Sequence, residues 1–429
     1  MPLSRSDFCR LYFSELDRQG IPYVILHSYE TFPDQIGSDV DYAVPTRDLS
    51  RLVSLQRGLA ERQGWCLAHV VEAHIYAVCS VVVNLEDPSI FLQLDACGHY
   101  VEGGCFVLRD AALLENRRPW RGYFVPAPAI EFAYLLAKAL AKGQPVAPRL
   151  PRLRELWQRD PEATEAQFRN LVGPVGGSLR QWFERSPTDW GSLRPVLLKW
   201  ACWGPGDRFR ETFRAWKRIA QPKGLHLASL GLDDSRISTL LDRLGSLIGG
   251  PLFSRQLRFE FQPSFFKRGE RGAVASYPHE NPPRNRIGAA AVLLCYAGAY
   301  LARYCAVAWP AKVQNKLIIF DRSFDDIIIH PRRYRFPAAG WLARLLRWLL
   351  PRADLTLVLD AEPEQVHARK PELSLEDLRR QRAALQQLAR DGRRYVLLSA
   401  EQPPDEMARV AFREVVRFLT ERQNRAAQP

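Results

Sequence analysis

The chain is 429 residues long and 47% hydrophobic, too long for one ordinary core and apolar enough to bury two or three. Its formal net charge of +13 is uneven, because residues 1–143 carry 13 Lys and Arg against 17 Asp and Glu, net −4, and the remainder therefore carries +17. That excess is mostly arginine scattered through amphipathic stretches such as "WLARLLRWLLPRADL" with no sustained basic run, which favours a solvated surface with a site for phosphorylated ligands over a DNA or RNA groove.

The N-terminal "MPLSRSDFCRLYFSELDRQG" mixes charges and has no apolar h-region, so no secretory signal is expected and the cytoplasm is the expected compartment. Residues 4–20 read as a helix, followed by strand "PYVIL", a Gly-Ser turn at Gly37-Ser38, strand "VDYAV", a helix over 46–63 and strand-like runs at 75–84 and 90–96. "PAPAIEFAYLLAKALAKG" (126–143) opens on prolines and closes on Lys and Gly, the punctuation of a helix. Residues 1–143 thus form an α/β unit. Residues 144–222, with prolines at both ends and Trp-rich segments such as "RFRETFRAWKRIA", read as a helical connector.

From 223 to 429 the short apolar runs "GLHLASLG", "KLIIFD", "LTLVLD" and "RRYVLLS" alternate with helical stretches, the pattern of a parallel, doubly wound sheet. The apolar run "IGAAAVLLCYAGAYLA" (287–302) stops at Arg303, short of the roughly 18–20 residues of a bilayer crossing, and reads as a buried helix with no membrane span. The eight cysteines include no CxxC pair and the histidines no HxxxH spacing, so reduced thiols are expected and no zinc framework.

Two segments carry chemistry. Asp39 and Asp41 are two apart on a strand, so their carboxylates share a face. Two adjacent negative charges call for a cation, and Mg²⁺ with a nucleotide phosphate is the natural one. Asp95, at the end of "IFLQLDAC", stands on a strand able to lie beside the first, and three converging carboxylates suit a two-metal displacement, with the third also able to take the proton of an attacking hydroxyl. The stretch resembles the nucleotidyltransferase superfamily: Ser28 stands at the serine of its glycine-serine turn, eleven residues before Asp39, with His27 where the family has glycine. The helix at 126–143 also resembles the segment that follows the family's catalytic core. The resemblance implies Mg²⁺ on Asp39, Asp41 and Asp95, and an NTP, ATP first among them, held through Ser28, Gly37 and Ser38.

The second segment is a phosphate loop with its key residues replaced. The pattern GxxxxGK[ST] lies on Gly231 to Ser238, with Arg236 at the second glycine and Ile237 at the lysine, and Thr239 follows. Glycine lets the backbone wrap a phosphate and lysine neutralises it, and isoleucine does neither. Downstream, residues 223–420 resemble the thymidylate kinase family. "IIFDRSFDDIIIHPRRYR" looks like its strand-end Asp-Arg segment, and "LVLDAEPEQVHARKPELS" like its arginine-bearing lid. "FQPSFF" and "SYPHENPPR" resemble kinase-like members fused to nucleotidyltransferase domains. The resemblance implies a phosphate site made by Asp321, Arg322, Arg332, Arg333, Arg335, Arg369 and Lys370, with Gly231, Ser238 and Thr239 as remnants of the nucleotide loop.

Three readings remain open from sequence. The first is an Mg²⁺-dependent nucleotidyltransferase acting on a small metabolite or glycan-type acceptor, with a C-terminal kinase-like domain holding a phosphorylated ligand; fused proteins of this resemblance suggest polysaccharide metabolism. The second is a phosphotransferase working through the C-terminal half, and the third a nucleotide-binding scaffold without turnover. No nucleic-acid partner is expected, and self-association is left open.

Overall fold

The computed structural model describes residues 3–37, 39–87, 89–173, 176–197, 203–232, 234–248, 250, 252–260, 284–336, 340–369, 374–390 and 394–427. Two compact units divide at Trp216 and Lys217.

In the first unit, α1 (Arg5–Arg18) starts where the Ser4 hydroxyl accepts the Asp7 N–H at 3.1 Å, the usual way an orphan first-turn donor is satisfied. It buries Phe8, Tyr12, Phe13 and Leu16. The elements that follow are β1 (Val24–Ile25), β2 (Asp39–Ala43), α2 (Leu49–Arg62), β3 (Trp65–His74), β4 (Ala77–Asn84) and β5 (Phe91–Cys97). They form one mixed sheet in the order β1-β2-β5-β4-β3. Only β2 and β5 run parallel within it, in a register that sets Asp39 opposite Gln93 and Asp41 opposite Asp95. Two small hairpins, β6 (Tyr100–Glu102) with β7 (Cys105–Leu108) and β8 (Arg118–Trp120) with β9 (Tyr123–Val125), flank α3 (Asp110–Leu114).

Helix α4 (Pro128–Ala141) has proline in its first turn and is apolar all round apart from Glu131 and Lys138, the composition of a helix covered on every side. Its cover is in place: Phe132, Leu136 and Leu140 share one core with Val24 and Ala43 of the sheet and with Leu153, Phe168 and Trp190. Those last residues lie on or beside α5 (Leu150–Arg159), α6 (Pro161–Val172), α7 (Leu179–Glu184) and α8 (Arg194–Leu197). The helices expected to form a connector thus complete the first unit's core, and the division falls within α9 (Pro205–Ala220).

Among the described residues the second unit holds a five-stranded, wholly parallel sheet, as the apolar runs predict. Its strands are β10 (Leu225–Gly231), β11 (Gln256–Glu260), β12 (Leu317–Asp321), β13 (Leu355–Asp360) and β14 (Tyr395–Ser399), in the order β11-β12-β10-β13-β14. This parallel α/β arrangement is consistent with the kinase-like expectation. Helix α10 (Asp234–Ile248) packs against α17 (Pro404–Ala427). The remaining helices are α11 (Arg286–Arg303), α12 (Trp309–Val313), α13 (Asp325–Ile329), α14 (Trp341–Leu349), α15 (Pro363–Arg369) and α16 (Leu375–Ala389). Ala228, Ile318 and Phe320 of the sheet form a core with α11 and α14, and Leu230 and Val358 form one with α16.

The apolar run 287–302 departs from its expected burial. A π-helical stretch, Tyr304–Ala308, joins α11 to α12, giving one continuous helix from Arg286 to Val313 that is long and apolar enough, by length and composition, to cross a membrane. Leu293, Tyr296, Ala297 and Tyr300 face the core, whereas Ile287, Leu294 and Leu301 are exposed.

Candidate functional site

The parallel register of β2 and β5 puts Asp41 and Asp95 on neighbouring strands, directly opposite each other. Asp39 stands two residues before Asp41, exposed at the start of β2. The acids do not converge as three ligands: among the described residues no group of three His, Cys, Asp or Glu side chains is placed to hold a metal ion. Protein side chains, the Lys138 ammonium and the His27 imidazole, meet Asp41 instead. Its Oδ2 lies 2.6 Å from His27 Nε2 and accepts a bond from Lys138 Nζ at 3.0 Å. Lys138 also donates to the Tyr134 hydroxyl at 3.0 Å and stands 2.9 Å from His27 Nε2. The His27 ring is stacked with Tyr134, its centroid 5.9 Å away.

Electrostatics separate the two aspartates. Burial alone would raise Asp41, but the bond from His27 and the charge of Lys138 outweigh it and hold the carboxyl at about 2, so it is ionised at neutral pH. Burial lifts Asp95 above the ordinary range, and the negative charges of Asp41 and Asp39 add to the lift. Gln93 Nε2 donates to Asp95 Oδ2 at 2.9 Å, while Asp95 Oδ1 is buried without a hydrogen-bond partner among the described residues. Two carboxylates pushed in opposite directions are the usual arrangement of an acid or base beside a charge holder.

Ser28 follows β1 in the left-handed backbone region at φ +56°, which a non-glycine residue occupies only where its surroundings insist. Its hydroxyl is 2.8 Å from His27 Nδ1. The His27 imidazole thus ties Ser28 to Asp41. Gly37 is exposed beside Asp39, and Ser38 lies outside the described residues.

Two cavities meet at Lys138. One, of about 300 Å³, is lined by Asp41, Asp95, Cys79, Tyr100, Tyr134 and Lys138. The other, of about 320 Å³, is lined by His27, Ser28, Glu131, Lys138, Arg149 and Arg152. Glu131 is almost wholly buried; Arg152 Nε donates to it at 2.8 Å, and the Tyr29 hydroxyl donates to its other oxygen. Burial raises the Glu131 carboxyl despite these bonds. Sequence reasoning did not single out Glu131, Lys138 or Arg152. The signal was present in α4, where two charged residues seven apart interrupt an otherwise apolar helix and so fall on one face.

In the second unit β10 ends at Gly231 and α10 is already helical from Asp234. Ile237, at the lysine position of the phosphate-loop pattern, is 1% exposed. Its Cδ1 lies 3.2 Å from where a Cβ on Gly231 would stand, so apolar packing fills the space next to the strand end. Ser238 is half-buried and Thr239 exposed on α10.

Two of the arginines expected to clamp a phosphate, Arg322 and Arg369, have other engagements. Arg322 Nη1 donates to buried Asp326 at 3.3 Å, Asp321 accepts from Arg258 at 3.2 Å, and Arg369 Nε bonds the Gln365 carbonyl of its own helix at 3.3 Å. The Arg335 carbonyl accepts the Arg284 N–H at 3.0 Å. The side chains of Arg332 and Arg333, together with Lys370, "FQPSFF" and all but Arg284 of "SYPHENPPR", lie outside the described residues. Among the described members, Arg322 and Asp321 are thus each engaged in an acid-arginine pair, with Asp326 and Arg258 respectively.

No family model and no curated protein matches the chain. Among solved structures, the thymidylate kinase from Ehrlichia chaffeensis is similar at 14% identity, over 45% of this chain and 98% of that chain, with a TM-score of 0.32. A likeness at that score does not bear on function.

Proposed function

We propose that the first unit is a nucleotidyltransferase that moves a nucleoside monophosphate from an NTP onto a hydroxyl or phosphate of a small metabolite or glycan-type acceptor. The observation that carries this reading is the in-register pair of Asp41 and Asp95 on adjacent parallel strands, with Asp39 beside them and Lys138 between two cavities. The donor set suits Mg²⁺: the acids are hard oxygen ligands, and Asp41 is ionised at neutral pH. One or two carboxylates suffice when phosphate oxygens and water complete the shell. Asp39 and Asp41 would hold the ion, with Asp95 one strand away. Mg²⁺, when bound, supplies charge neutralisation to the triphosphate.

The chain's own residues supply the rest. Lys138 neutralises phosphate oxygens at the junction of the cavities, and the Ser28 hydroxyl donates to one of them. Asp95, whose raised pKa makes it the better base of the pair, takes the acceptor's proton. The acceptor oxygen bonds the α-phosphorus as the bond to the bridging oxygen breaks, and pyrophosphate leaves.

The second unit supports phosphotransfer less well, because Ile237 is in the core where a lysine would meet a phosphate. Incubation with Mg²⁺ and NTPs labelled at the α or the γ phosphate separates the readings. The α label is expected in the product, and Asp41→Asn is expected to abolish its transfer. Incorporation of the γ label would place the chemistry in the second unit, and incorporation of neither, with nucleotide still bound, would leave a scaffold.

A further inference from the structure

Helices α11 and α14 are neighbours in the second unit, and each buries one face in a shared core. Their other faces are apolar. On α11, Ile287, Leu294 and Leu301 recur every seven residues and are 84%, 53% and 44% exposed, with no charged residue between Arg286 and Arg303. On α14, Trp341, Leu345, Trp348 and Leu349 are exposed, the two tryptophans at 73% and 71%. Exposed apolar stripes of this length on adjacent helices mark an interaction surface.

Charge identifies the partner. No Asp or Glu occurs from Arg286 to Phe320, nor from Ile327 to Ala353. Arg286, Arg344 and Arg352 are exposed and have no carboxylate partner among the described residues. Arg347 is the exception on α14, turned inward onto Asp325. A second copy of the chain would bring this acid-free face against itself, arginine facing arginine with nothing to neutralise either. A surface that is anionic outside and apolar beneath meets both requirements, and tryptophan with arginine on an amphipathic helix is the composition suited to that boundary.

We propose that the α11–α14 face docks on an anionic membrane surface, its tryptophans and leucines entering the headgroup boundary and its arginines meeting lipid phosphates. One face of α11 is held in the protein core, so the helix lies along the bilayer and does not cross it. Independent of the chemistry proposed for the first unit, the surface would place the enzyme at a membrane.

The test is flotation of the full chain with phosphatidylcholine vesicles made with and without phosphatidylglycerol, at low and high salt. The chain is expected to float with the anionic vesicles only and to be released by salt. Arg344→Gln with Arg352→Gln is expected to weaken binding about 25-fold, at roughly fivefold per arginine. Trp341→Gln with Trp348→Gln is expected to weaken it on the order of tenfold or more, with the melting temperature unchanged because all four side chains are exposed. No flotation, equal flotation with neutral vesicles, or variants that float like the native chain would overturn the proposal. So would a native dimer in light scattering that the tryptophan variant splits, since the face would then belong to a second copy.

Discussion

Lys138 and Asp41 are each less than one-fifth exposed, so their charges are screened little and pairing has a measurable energy. The Asp41 carboxyl falls from an ordinary 3.8 to about 2 in the folded chain. A depressed carboxylate adds stability that is complete above the unfolded value and is lost as the pH falls through the folded one. The window here runs from about pH 4 down to about pH 2, and the contribution is about 2 kcal/mol. Lys138→Ala is expected to cost about 1–3 kcal/mol at pH 7, a cost that shrinks across that window. Denaturant titrations of both proteins from pH 5 downward check this, and a pH-independent difference would mean that Lys138 acts through packing alone. Asp95 has the opposite sign. Its raised pKa makes the ionised form costly above the folded value, a cost relieved as the pH falls below it. Asp95→Asn is therefore expected to raise the melting temperature at pH 7 by a few degrees while abolishing nucleotidyl transfer; an unchanged or lower melting temperature would remove Asp95 from the strained position assigned to it.

At the scale of elements, what the sequence made legible followed periodicity and burial. The fully apolar runs of β10, β12 and β13 could belong only to strands covered on both faces, and the alternation around Asp39 and Asp41 placed both acids on one side of β2. Strand β3 was not distinguished, because "WCLAHVVEAH" buries its first seven residues without alternation and follows α2 after a short turn. The pairing of Asp41 with Lys138 was illegible for a different reason: it joins residues 97 apart in the chain, and no local pattern encodes that approach. The acid that holds Arg322 was illegible as well, because an arginine in sequence carries no record of the buried Asp326 it meets. That isoleucine stands at the lysine position of the phosphate-loop pattern is legible in sequence, but only packing shows that Ile237 fills the space beside Gly231. Ile237→Lys is accordingly expected to destabilise the second unit by about 3 kcal/mol or more, the cost of an unpaired buried ammonium, and not to create an ATP site. Thermal melts with and without Mg²⁺-ATP decide it: a stable variant that gains nucleotide binding would show that the loop opens as kinase loops do.

For the whole molecule, the decisive feature is that α5 to α8 share the core of α4. A boundary at residue 143 would strip Leu153, Phe168 and Trp190 from Phe132, Leu136 and Leu140 and leave the apolar outer face of α4 in water, at a cost of several buried side chains. It would also remove Arg152, the arginine closest to buried Glu131, and leave that acid with only the more distant Arg118 and the Tyr29 hydroxyl beside the second cavity. Cutting at the division between the units, after Trp216, keeps every one of these contacts. The fragment 1–216 is therefore expected to unfold cooperatively in urea and to keep the Mg²⁺-dependent nucleotide binding proposed for the first unit. The fragment 1–143 is expected to aggregate or to lack a cooperative transition. Urea melts of both fragments with Mg²⁺-NTP calorimetry on the soluble one provide the measurement. A cooperative, nucleotide-binding 1–143 would return the helices of 144–216 to the role of connector, whereas a folded 1–216 that binds no nucleotide would leave the core assignment standing and remove the site.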